Sequence, residues 1–73
     1  MSAHVVDFQR LRLAQPGPTA GSAEIAAWYE AKADVFDAIA ADTTTPPEEQ
    51  DRARLRAYHA RIHAAELRMV NVA

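Results

Sequence analysis

Between Asp42 and Glu48 the chain reads Asp-Thr-Thr-Thr-Pro-Pro-Glu, a stretch that no continuous helix tolerates. Three β-branched threonines lower helix propensity, and a Pro-Pro pair removes donors and pushes the preceding residue out of the helical region. Helical periodicity of apolar residues runs up to this point and resumes after it. Thr45 followed three residues later by Glu48 is a capping-box pattern, which starts the second helix at Pro46, where a missing N–H costs nothing. A connection this short makes its neighbours antiparallel. The expectation is an all-α chain: helix 22–42, turn 43–45 and helix 46–70, folded as a two-helix hairpin over residues 22–73.

Ser22 is the expected N-cap of the first helix, with Glu24 in its first turn. Around that helix Ile25, Trp28, Tyr29, Val35, Phe36 and Ile39 fall in one apolar stripe, opposite Glu30, Asp34 and Asp37. On the second helix Leu55, Tyr58, Ile62, Ala65 and Met69 repeat at a/d spacing. Antiparallel pairing from the threonine turn matches residues whose numbers sum to about 94. Ile39 is then expected near Leu55, Phe36 near Tyr58, Lys32 near Ile62, and Ile25 near Met69. Lys32 lies in the middle of the apolar stripe and is expected to snorkel, to rest on an aromatic ring or to meet a partner. The partner this register offers is Glu66, about one turn away, and a pairing of the two would help set the register.

Ahead of the hairpin lies an apolar arm, residues 1–13, and a linker, residues 14–21, in which two prolines restrict the backbone and two glycines free it. Val5, Phe8 and Leu11 or Leu13 suit one side of a short helix, while Val6 and Phe8 alternating with Asp7 and Gln9 suit a short strand. Such an arm either covers the hairpin or docks on another molecule.

Alanine supplies 17 of the residues, so large apolar side chains are few and the interior of a lone hairpin is small. That favours burial against another chain, with two hairpins dimerising into a four-helix bundle. The expected interface comprises Trp28, Tyr29, Lys32, Phe36, Ile39, Leu55, Tyr58, Ile62, Glu66 and Met69, with Phe8 and Leu11 of the arm as a recognition surface. The net charge of -2 conceals an acidic first helix and an arginine-rich second one, a contrast that suits an antiparallel pair.

There is no cysteine, which excludes disulfides and thiolate metal sites. No apolar run reaches membrane-spanning length and no apolar secretion-signal core is evident, so a cytoplasmic setting is expected. No nucleophile–base arrangement can be assembled, and two helices offer little concavity, so catalysis and cofactors are not expected. His59, His63 and Glu66 share a flank of the second helix at a spacing that suits a divalent metal, with His4 a remote fourth ligand. The simpler account is that His59 and His63 border the core and Glu66 serves Lys32, and no metal is expected. Arg54, Arg61 and Arg68 recur every seven residues, a stripe that can follow phosphates together with Arg10 and Arg12. Against that reading stand the negative net charge and the lack of a glycine-rich phosphate loop or a helix-turn-helix spacing.

The run from Ala26 to Ala40, with Trp28, Lys32, Phe36, Ile39 and Ala40, followed by a polar break and an Ala/Arg helix, resembles small actinobacterial helical-hairpin proteins of unknown function. The resemblance spans residues 23–70 and implies a fold and a bacterial origin; no functional residue comes with it. The expected role is a small non-enzymatic protein–protein interaction module, a regulatory or accessory factor of phage or plasmid origin. The alternative is a nucleic-acid-binding dimer that uses Arg54, Arg61 and Arg68.

Overall fold

The computed structural model describes residues 4–70, which form three helices: α1, Val5–Leu13; α2, Ser22–Ala41; and α3, Pro47–Val70. Residues 1–3 of the expected arm and 71–73 of the expected hairpin lie outside the described residues. The two long helices pack side by side as an antiparallel hairpin. Gln50 reaches Ala40, Arg56 lies over Phe36, His63 meets the edge of Tyr29, and Arg68 meets Glu30. These pairs straddle the register expected from the sequence.

The corner is built differently from the capping box that the sequence suggests. Asp42 ends α2 in an extended conformation, and its Oδ1 accepts from the Thr44 N–H at 2.9 Å and the Thr44 hydroxyl at 2.6 Å. Its carbonyl oxygen accepts from the Thr45 N–H at 3.1 Å. Gln50 then reaches back one turn into α3, its Nε2 donating to the carbonyls of Asp42 and Ala40, two acceptors near the end of α2 without helical partners. No Thr45–Glu48 bond is present among the described residues; Pro46 stands just before α3, its carbonyl accepting the first intrahelical bond from Gln50. At the start of α2 the cap position is Gly21, one residue before the expected Ser22, and no side chain caps it.

Asp42 is also a pH-sensitive joint. The hydrogen bonds from Thr44, first its hydroxyl and then its N–H, followed by that from His4, hold the carboxyl at about 2, below its ordinary 3.8. The fold therefore favours the anion. Its stabilising contribution is complete above pH 3.8 and fades as pH falls towards 2. In Asp42→Asn the stability measured by urea unfolding should be lower at neutral pH and should fall less than wild type between pH 4 and pH 2 (about one transition width). Parallel curves for the two proteins would show that the carboxylate does not act in this way.

The arm is helical, which decides between the two patterns in its sequence. Asp7 in its first turn and Arg10 and Arg12 in its last complement the helix dipole. It lies antiparallel against α2. His4 Nε2 meets Asp42 at 2.9 Å, Phe8 makes an edge contact with Phe36 at 5.6 Å, and the Trp28 indole N–H donates to the Leu11 carbonyl at 2.8 Å. Leu11 is the buried residue of α1. The linker turns back through Gly17–Ala20, where the Ala20 N–H donates to the Gly17 carbonyl.

Candidate interaction surface

Alanine, not the a/d seam, joins α3 to α2. The buried residues of α3 are Ala53, Ala57, Ala60 and Ala64, which meet Ala33 and Phe36 of α2, with Tyr29, Ile39 and Ala40 packed around them. Large side chains on α2 thus project into the space that small ones on α3 leave, the large-against-small arrangement that fills an interface without strain. The seam expected to do this is turned away: Leu55 is 55% exposed, Tyr58 61%, Ile62 39% and Met69 73%. At about 100° per residue those four lie on the side of α3 opposite its alanines. The hairpin expected from the sequence is present, but the face of α3 expected inside it is turned outward.

The Lys32–Glu66 pair is not formed. The Lys32 ammonium rests over Trp28 and Tyr29, 5.6 and 5.5 Å from the ring centres, while Glu66 is exposed, with His63 3.9 Å away. Glu66→Ala should therefore change stability by less than about 0.5 kcal/mol in thermal melts, as for an ordinary surface site. A loss several times larger would restore the pairing.

Two arginines of the stripe bridge the long helices, and the third pairs within α3. Arg61 bonds Asp34 and Asp37, Arg68 straddles the two oxygens of Glu30 at 3.1 Å each, and Arg54 holds Asp51 within α3. The hydrogen bond from Arg68 holds the Glu30 carboxyl below its usual range, and those with Asp37 and Glu30 raise Arg61 and Arg68 respectively. All three arginines thus have carboxylate partners. Lys32, Arg52 and Arg56 form no ion pair among the described residues, and nothing in the heptad count singles them out.

His63 Nδ1 faces Glu66, and its ring meets the edge of Tyr29, with ring centres 4.5 Å apart; His59 tilts against Tyr58, and His4 is at the corner with Asp42. Among the described residues no group of three or more His, Asp or Glu side chains is disposed to hold a metal ion. Among the described residues no helix is long and apolar enough to cross a membrane. Phe8, Leu11, Trp28, Tyr29, Phe36 and Ile39, expected at an interface with another chain, mediate contacts among the three helices or line their surfaces.

No protein-family model matches the chain, and neither a curated protein nor a solved structure does. Along α3 the exposed apolar feature is the outward stripe of Leu55, Tyr58, Ile62 and Met69.

Proposed function

We propose that the protein is a non-enzymatic protein–protein interaction module, a regulatory or accessory factor that acts as a homodimer paired through α3. One observation carries this: Leu55, Tyr58, Ile62 and Met69 form an exposed apolar line at coiled-coil spacing on the side of α3 away from its own hairpin. A second copy is the occupant that this spacing favours, because a/d positions of identical helices interlock and Ala65 leaves room opposite a larger residue. The interior supports the same conclusion. Leu11 and Phe36 are its only large buried residues among those described, the rest being alanine, so a dimer would greatly extend the apolar area removed from water. With the stripe opposite α2, two hairpins would pair in the order α2, α3, α3′, α2′, a row of helices in place of a bundle with one shared centre.

Sedimentation velocity tests the reading. The mass should rise from 8.0 kDa towards twice that value as concentration passes through the micromolar range (about −8 kcal/mol of binding free energy). A species of 8.0 kDa at roughly 100 μM would dispose of the dimer. The nucleic-acid alternative has less support, since each arginine of the proposed stripe already holds a carboxylate. Duplex binding that falls steeply with salt and disappears when Arg54, Arg61 and Arg68 are neutralised would favour it instead.

A further inference from the structure

We infer that the groove running along α2 and α3, flanked by Phe8 of α1, is a binding site for an acidic amphipathic peptide segment of a partner protein. Two adjoining depressions, of about 370 and 360 Å³, share Phe36 and Arg56. The first lies between α1 and α3, with Phe36 and Ile39 as its floor and Phe8 and Ala53 on its sides. The second continues towards Tyr29, Lys32 and Ala60. Each is of a size to take an apolar side chain or two, and their shared wall is made by Phe36 of α2 and Arg56 of α3.

Charge identifies the class of ligand. Arg52, Arg56 and His59 follow one another along the α3 rim at i, i+4 and i+7, and Lys32 stands on the α2 rim. Arg56 lies 5.8 Å from the centre of the Phe36 ring, and Lys32 lies over Trp28 and Tyr29, so aromatic rings hold both cations at the groove while their donors stay open. Neither these two nor Arg52 has a carboxylate partner among the described residues, in contrast to Arg54, Arg61 and Arg68 on the other flank of α3. Glu49 is the single acid lining the two depressions, at the end nearest the corner. A segment with apolar anchors about one helical turn apart and carboxylates beside them would fill both depressions and meet the open cations.

A polyanion fits less well. Phe36 is buried, with its ring against Phe8 and Arg56, and Trp28 and Tyr29 pack edge to face on each other, which leaves no stacked platform for bases. The groove is on a different side of α3 from the Leu55–Met69 stripe, so this inference holds or fails independently of the dimer.

The test is selection of a random 14-residue peptide library (about 21 Å as a helix) on the full chain, followed by mapping of the enriched peptides by amide chemical shifts. Enriched sequences should carry Asp or Glu beside apolar residues three or four apart, and should shift the amides around Lys32, Phe36, Arg52 and Arg56. Binding should weaken at least tenfold (about 1.4 kcal/mol) in Arg52→Gln/Arg56→Gln and no more than about twofold in Arg54→Gln, with circular dichroism confirming that the variants are folded. The inference is overturned by any of four results: no enrichment, enrichment of neutral or basic peptides, shifts confined to the α3 stripe, or equal binding by the groove variant. Tighter binding of single-stranded oligonucleotides or anionic vesicles at the same residues would overturn it as well.

Discussion

Ala57→Leu should destabilise the protein by about 2 kcal/mol, whereas Leu55→Ala, two residues away, should change the stability of the dilute monomer by less than about 0.5. The asymmetry follows from the rotation of α3. Ala57 is 2% exposed in the contact with α2, beside Ala33, which is fully buried, so three additional heavy atoms must force the helices apart or drive neighbours from their rotamers. Leu55, at 55% exposure, has little packing to lose. In a domain of this size the alanine substitution should lower the melting temperature by roughly 8–16 °C. Had the a/d seam been the inner face, the order would be reversed, with Leu55→Ala costing about 2–5 kcal/mol as a core truncation. Thermal or urea unfolding at low micromolar concentration distinguishes the two, and a larger loss in Leu55→Ala would refute the alanine-faced hairpin.

Ile62→Glu, alone or with Tyr58→Glu, should raise the dissociation constant of the proposed dimer at least a hundredfold (about 2.7 kcal/mol) while leaving helicity unchanged. Both side chains lie near the middle of the outward stripe, where truncation or charge is felt most because no rim residue can compensate. In the monomer each glutamate would meet water, so the hairpin itself should be unaffected. The corresponding measurements are sedimentation across concentration and far-ultraviolet circular dichroism. Dimerisation of unchanged strength would move the self-association surface elsewhere, and loss of helix together with mass would mean that the stripe belongs to the fold.

Much of the architecture was legible before any coordinates. The polar, proline-bearing corner separates two helices because no helix propagates through Thr43–Pro47, and the resulting antiparallel register needs only counting outward from the turn. Local chemistry was less legible. Thr45 and Glu48 have the spacing of a capping box, yet Asp42 and Gln50 hold the corner, because a carboxylate and an amide within reach can satisfy several groups at once. The helical state of the arm was also ambiguous. Nine residues with a mixed pattern do not select a period, and contacts of Phe8 and Leu11 with α2 made the difference.

The face that α3 turns inward is the one its large side chains do not mark. Hydrophobic periodicity weights large side chains, so Leu55, Tyr58, Ile62 and Met69 outweighed alanines that recur with similar spacing on the opposite side. Packing weighs fit instead. Tyr29, Phe36 and Ile39 already supply bulk from α2, and alanine on α3 accommodates it while bringing Arg61 and Arg68 to Asp34, Asp37 and Glu30. The same rotation pairs Arg61 and Arg68 with carboxylates of α2 and leaves Arg52, Arg56 and Lys32 open, which moved the candidate recognition surface from one flank of the helix to the other.

The order of residues alone determined that the chain forms two long helices and where it doubles back between them, since turn chemistry and helical periodicity act over a few neighbours. Which side of α3 turns inward, where the arm settles and which cations remain open were decided only in three dimensions. Those outcomes depend on complementary volumes and charges brought together from distant parts of the chain, and no local pattern contains them.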